Sequence, residues 1–217
     1  MGRSKDGGES KYVANKAHLL HLRLYVDSGD VGAQREIMNA LKPHPGLECL
    51  EMEFNHDGGL SNWLLLLPLS SLHSLRVLTL TASRRYSRLE FLPPLGKLPF
   101  LESLDIKGFN RVEKVRVEFL GTKTMFVTAS SSFPKLKQLT MSYMESWKEW
   151  GGVPEEVAEN VTIMQCLSQL TIEGCQNLIV LPDFLWQTPL QNLKVKCSPF
   201  LEHLNANWQR FLKSKHS

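Results

Sequence analysis

Large aliphatic residues recur along the chain at positions i, i+3 and i+5, with polar residues at positions between them. Leu101, Leu104 and Ile106 form one such triplet, and Ser103 and Asp105 flank Leu104. Because side chains alternate between the two sides of a β-strand, Leu104 and Ile106 point to one side and the polar residues to the other. The pattern predicts a strand with one buried face.

The same triplet occurs seven times, with aliphatic or Met residues at its third position, and the copies start at Leu19, Leu47, Leu75, Leu101, Leu136, Leu167 and Leu190. The starts lie 23–35 residues apart, and the L-x-x-L-x-L core is that of the leucine-rich repeat. One strand with two or three inward leucines cannot bury its apolar face alone, so the copies must stack. We therefore predict an α/β leucine-rich-repeat solenoid of about seven repeats. It would be a curved horseshoe with parallel strands on the concave face and irregular loops and short helices on the convex side.

The segments between the triplets predict the convex side. Residues 33–44 have helical periodicity, and the proline-rich residues 92–104 predict an extended return. Residues 122–132 are rich in Ser and Thr, and residues 150–162 in Gly and Glu, which is typical of surface loops.

The extent of the repeats sets the predicted domain limits. We place the leucine-rich-repeat domain at residues 15–204. Residues 1–14 are polar and are expected to be a flexible N-terminal segment. Residues 205–217 are expected to form a C-terminal tail or a cap on the last repeat.

Composition narrows the function classes. The 217 residues are 42% hydrophobic and 22% charged, and the formal net charge is +3. No run concentrates Lys and Arg as nucleic-acid-binding proteins do. The longest apolar run, at 63–69, is far shorter than the roughly 18 residues that a membrane helix requires. The first ten residues lack the apolar core of a secretory signal. We expect a cytoplasmic protein with four reduced cysteines that binds neither nucleic acid nor membrane.

The polar strand positions are the candidate binding surface, because they should face the concave side of the solenoid. Their chemistry changes along the chain from basic and aromatic to acidic, then to small polar and back to basic, which suits protein recognition. The predicted partner-binding residues are His21, Arg23, Tyr25, Glu51, Glu53, Thr79, Thr81, Ser103, Asp105, Lys107, Gln138, Thr140, Gln169, Thr171, Glu173, Asn192, Lys194 and Lys196. Cys49, Val77 and Ser142 occupy the remaining positions of the same face.

No catalytic, metal or cofactor site emerges from the sequence. His18 and His21 have a spacing found in metal sites, but no Cys or acidic pair joins them at ligand spacing. Glu155 and Glu156 lie in a predicted loop without a partner, and no Ser-His-Asp or Cys-His arrangement is present. We predict that the chain is not an enzyme and needs no cofactor.

Trp147 and Trp150 allow two interpretations. As exposed aromatic side chains they would form a binding hot spot. Alternatively, at least one of them packs over the end of its repeat.

Four stretches carry a family resemblance: residues 15–27, 92–121, 133–150 and 166–185. They contain, in order, Leu-Pro-x-Leu-Gly-x-Leu-Pro, Glu-Phe-Leu-Gly, Phe-Pro-x-Leu and a Trp-x-x-Trp pair. In these motifs the chain resembles the C-terminal leucine-rich-repeat domain of plant intracellular immune receptors of the coiled-coil, nucleotide-binding, leucine-rich-repeat class. The nucleotide-binding motif G-x-x-x-x-G-K-[ST] of that family is absent from the sequence, as is a coiled-coil region.

The resemblance implies a protein-interaction module of a disease resistance protein. Such a domain senses a pathogen effector, directly or through a guarded host protein, and restrains the upstream nucleotide-binding module. The partners that the resemblance implies are therefore a pathogen effector, a guarded host protein and the upstream nucleotide-binding module.

Two alternatives remain open at the level of sequence. One is a truncated or regulatory fragment without independent sensing. The other is a leucine-rich-repeat substrate adaptor of a ubiquitin ligase, although the 18 residues before the first repeat are too short and polar for the helical motif that such adaptors need.

Overall fold

The computed structural model describes residues 19–26, 46–54, 72–83, 89–121, 130–152 and 161–202. The strands in chain order are β1 (His21–Val26), β2 (Cys49–Phe54), β3 (Val77–Ala82), β4 (Ser103–Lys107), β5 (Lys114–Val115), β6 (Ser130–Ser132), β7 (Gln138–Ser142), β8 (Glu149–Trp150), β9 (Val161–Ile163), β10 (Gln169–Glu173) and β11 (Asn192–Lys196). Short 3₁₀ helices occupy Leu95–Lys97, Val117–Leu120 and Asp183–Gln187. The predicted helix at 33–44 and the terminal segments 1–14 and 205–217 lie outside the described residues.

The main sheet has seven parallel strands in the order β1-β2-β3-β4-β7-β10-β11. Each strand contains the second and third apolar positions of one triplet, and the register pairs equivalent positions of neighbouring copies. Leu50, for example, pairs with Leu22 on one side and with Leu78 on the other. This stack of parallel strands confirms the leucine-rich-repeat solenoid predicted from the sequence.

The core lies behind the sheet and is built from the inward rows of the triplets. Leu78, Leu104 and Leu139 are each at most 1% exposed. Complete burial of such a side chain contributes about 1.5–3 kcal/mol. In β1 the equivalent residues Leu22 and Leu24 are only partly buried, so this row loses cover at the first strand.

A second parallel ladder runs beside the main sheet, where the sequence analysis defined no elements. β5 pairs with β8, and Glu149 forms an isolated bridge to Val180. The residues that lead into this ladder are buried at three-residue intervals in consecutive repeats: Phe109, Val112 and Val115, then Met144, Trp147 and Trp150, then Cys175, Leu178 and Leu181. This ladder closes the side of the core that follows the main strands.

The two tryptophans belong to this buried layer. Trp147 is 0% exposed and Trp150 is 3% exposed, and their rings lie 5.5 Å apart. The indole N–H of Trp147 donates to the carbonyl oxygen of Glu149 at 2.9 Å. The hot-spot interpretation is therefore wrong, and both rings pack inside the solenoid.

The prediction of surface loops at 122–132 and 150–162 is wrong at the end of each segment, and also at Trp150, the buried β8 residue with which the second segment begins. β6 and β9 pair in parallel, and Ser132 is 1% exposed. Because this pairing uses backbone groups, the Ser-rich composition gave no sign of it. Residues 122–129 and 153–160 lie outside the described part of the chain.

Candidate functional site

The outward side chains of the main sheet form three rows, which we call together the polar sheet face. The strand register aligns them. The first row is His21, Cys49, Val77, Ser103, Gln138, Gln169 and Asn192; the middle row is Arg23, Glu51, Thr79, Asp105, Thr140, Thr171 and Lys194; the third row is Tyr25, Glu53, Thr81, Lys107, Ser142, Glu173 and Lys196.

All 18 predicted partner-binding residues lie in these rows, and each is exposed or half-buried. Ser142, which the sequence analysis also placed on this face, is only 6% exposed and offers little surface. The structure thus brings the predicted residues together on one surface, whereas their role in binding stays a prediction.

The β1–β2 end of the polar sheet face is organised around Arg23. Its guanidinium lies 3.5 Å from the Glu51 carboxylate and 3.7 Å from that of Glu53. It also lies 5.0 Å from the ring centroid of Tyr25, which is 61% exposed. Exposed ion pairs of this kind contribute at most about 1 kcal/mol, so they orient side chains more than they stabilise the fold.

The β7–β11 end carries a second aromatic contact and two further cations. The hydroxyl of Tyr143, just after β7, donates to Glu173 at 3.1 Å. The Lys107 ammonium lies 5.4 Å from the centroid of the Tyr143 ring. Lys194 and Lys196 are exposed on the last strand, and neither forms an ion pair within the described residues. Tyr143 was missed by the sequence analysis because it follows the strand instead of lying within it.

Asp105 lies on β4, at the centre of the middle row. Its Oδ1 atom is buried and has no hydrogen-bond partner. Burial raises the pKa of this carboxyl group above its usual value, although the nearby charge of Lys107 acts in the opposite direction.

A charged cluster on the flank of the main sheet was also missed. The Glu102 carboxylate accepts a hydrogen bond from the Arg76 guanidinium at 2.7 Å and one from the Lys137 ammonium at 2.6 Å. The hydrogen bond from Lys137 is the main reason why the pKa of Glu102 is lowered. The sequence signal was available, because these three residues occupy the same position in successive copies, directly after the first leucine of each triplet.

Two of the four cysteines, Cys49 and Cys175, have thiols whose pKa is raised by their surroundings. Burial raises the pKa of Cys175 to about 11, and its Sγ points at the carbonyl oxygens of Met141 and Glu173. Burial, followed by the charge of Glu51, raises the pKa of Cys49. Both thiols are therefore protonated at neutral pH, which makes them poor nucleophiles.

A metal site is not formed by the described part of the chain. Within it, no group of three or more His, Cys, Asp and Glu side chains is placed to hold a metal ion. His21 is exposed, and His18, its predicted neighbour, lies outside the described residues. Among the residues that the structure describes, no helix is long and apolar enough to cross a membrane.

Comparisons with known proteins agree with the geometry. Residues 3–109 match the family model described as R13L1/DRL21 LRRs, where LRR denotes leucine-rich repeat. The chain is 30% identical over 145 residues to a protein of Arabidopsis thaliana that is named as a disease resistance protein; the match covers 67% of this chain and 9% of the relative. It is 29% identical over 136 residues to a protein of Solanum bulbocastanum that is named as disease resistance protein RGA4, covering 60% of this chain and 13% of that relative. The chain thus spans about a tenth of the length of these relatives. No solved structure matches it significantly.

Proposed function

We propose that this chain, which is a leucine-rich-repeat protein related to plant disease resistance proteins, binds protein partners through its polar sheet face. The observation that carries the proposal is the alignment of three rows of outward, mostly polar side chains across seven strands. Such a surface is broad and chemically varied, and it offers charges of both signs, as protein recognition requires.

In more detail, we propose the role that the family resemblance implies. The chain would contribute to effector sensing in the cytoplasm and to restraint of a nucleotide-binding module. Its partners would be a pathogen effector, a guarded host protein or that module. The names of the two relatives, which describe disease resistance, support this role. No observation favours the regulatory-fragment or ubiquitin-ligase alternatives over it.

Charge reversal on the polar sheet face tests the proposal. The face variant carries Arg23→Glu, Glu51→Lys, Glu53→Lys, Lys194→Glu and Lys196→Glu. Partner side chains that complement the unaltered face would then lie opposite charges of their own sign. We therefore expect co-immunoprecipitation with a co-expressed effector or nucleotide-binding module of a plant immune receptor to fall at least tenfold.

The second ladder supplies a matched control. Lys114 pairs with Glu149 at 2.7 Å, and Lys148 pairs with Glu113 at 3.1 Å. Exchanging the members of both pairs alters four charges away from the polar sheet face and keeps each pair neutral. We expect this control to bind as the unaltered chain does. Equal binding by the face variant would contradict the proposal.

A further inference from the structure

We propose that the polar sheet face receives a positively charged side chain, a lysine or an arginine of the protein partner, at Asp105. The inference rests on the proposed function, because it names the partner chemistry at the centre of the same surface.

The position of Asp105 suits a central contact. β4 is the fourth of the seven strands in the sheet order, and Asp105 lies in the middle of the three rows. Its neighbours in that row are Thr79 and Thr140, which have short uncharged side chains. A partner side chain can therefore approach the carboxylate between two small neighbours, and the centre of an interface is where hot spots concentrate.

The other carboxylates of the polar sheet face already have partners within the chain. Glu51 and Glu53 face Arg23, and Glu173 accepts a hydrogen bond from Tyr143. Asp105 differs from them, because its Oδ1 atom is buried and accepts no hydrogen bond. Asp105 is half-buried, so its carboxylate is partly withdrawn from water while Oδ1 has no compensating donor, which is unfavourable in the free chain. A partner cation that contacts the exposed part of the carboxylate would offset this cost.

Lys107, which lies two residues further on the same strand, does not pair with the Asp105 carboxylate. Its ammonium lies over the ring of Tyr143, at 5.4 Å from the centroid, and no ion pair joins it to Asp105. A charged donor from outside suits the site best, because charge-assisted hydrogen bonds are about twice as strong as neutral ones. A metal ion suits it poorly, since the described residues place no second and third ligand beside Asp105.

The test couples a partner cation to Asp105 through a double-mutant cycle. Random peptides displayed on phage are selected on the full chain, and those that lose binding to the five-charge face variant are kept. Each Lys or Arg of these peptides is then changed to Gln, and the affinity is measured for the unaltered chain and for Asp105→Asn. We expect one Lys or Arg whose loss weakens binding at least tenfold on the unaltered chain and less than twofold on Asp105→Asn.

The outcomes separate the inference from the proposed function. If no selected peptide is sensitive to the face variant, the proposed function fails and the inference fails with it. If face-sensitive peptides exist but no cation in them couples to Asp105, the inference alone is overturned. The control is Ser103→Ala, two positions before Asp105 on the same strand, which should leave the coupling intact. Circular dichroism of Asp105→Asn shows that a lost coupling does not come from unfolding.

Discussion

Gly108, Tyr143, Gly174 and Cys197 occupy equivalent positions directly after four strands of the main sheet, and all four have a positive φ, between 50° and 81°. Each of the first three donates its backbone N–H to the end of the next strand, at 2.7–2.9 Å. The turn that leaves the sheet thus requires the left-handed conformation in every one of these repeats. Glycine adopts it without cost, whereas Tyr143 and Cys197 are held there by their surroundings.

Gly108→Ala should destabilise the chain. An added Cβ atom would lie well inside van der Waals contact with the carbonyl oxygen of Ala82, and φ is 81°. We expect the free energy of unfolding to fall by about 1–3 kcal/mol in urea titration, because the backbone must move. Gly152→Ala is the control, since nothing lies within 4 Å of its added Cβ atom. Equal stability of the two variants would contradict the requirement for glycine at this turn.

Asp105→Asn should stabilise the free chain at neutral pH. Burial raises the pKa of Asp105 in the folded state above its ordinary value of about 3.9, so between these two values the folded state binds more protons than the unfolded state. Stability therefore falls as the pH rises through this interval, and the amide removes that loss. We expect a higher melting temperature than the unaltered chain at pH 7, and a difference that shrinks below the ordinary pKa.

The matched control for this prediction is Glu173→Gln. The carboxylate of Glu173 accepts the hydrogen bond from Tyr143, so neutralising it should bring no gain in stability at pH 7. A less stable Asp105→Asn variant at pH 7 would show that the carboxylate is well solvated in the folded chain. A residue that lowers stability in the free protein is consistent with a role in binding.

At the scale of elements, the second ladder depends on aromatic packing. Trp147 is fully buried, and its ring contacts that of Trp150, which in turn lies 6.1 Å from the Phe184 ring. We expect Trp147→Ala to lower the free energy of unfolding by about 3–5 kcal/mol, measured by urea titration. Ile179→Ala on the outer side of the same ladder should cost far less, because Ile179 is 62% exposed. Similar costs for both would argue against a packed layer behind this ladder.

The sequence predicts the main sheet well because its strands alternate apolar and polar residues, and because equal offsets in each copy fix the register. The three rows of the polar sheet face follow from the same offsets. The second ladder escaped prediction, since its buried residues recur every three positions and its strands are only two residues long. A three-residue recurrence matches neither the two-residue period of a strand nor the 3.6-residue period of an α-helix, and a two-residue strand is too short to show a period. The burial of the Asp105 Oδ1 atom also escaped, because it depends on the folded surroundings of β4, which the alternating pattern does not describe.

At the scale of the whole molecule, stability should vary along the solenoid. Each repeat contacts its neighbours, so the stability of a strand depends on the cover that both sides provide. The inward residues of β4, β7 and β10 are at most 1% exposed, whereas Leu22 and Leu24 of β1 are only partly buried.

Hydrogen exchange of the 217-residue chain measures this gradient. We expect the backbone amides of β4, β7 and β10 to exchange at least tenfold more slowly than those of β1, because opening β1 exposes less buried apolar surface. Trp147→Ala adds a second expectation. Since β7 and β10 rest on the layer that contains this ring, their amides should lose more protection than those of β1 and β2. Equal protection in all strands, or an equal loss in the variant, would mean that the seven strands unfold as one cooperative unit instead of as coupled neighbours.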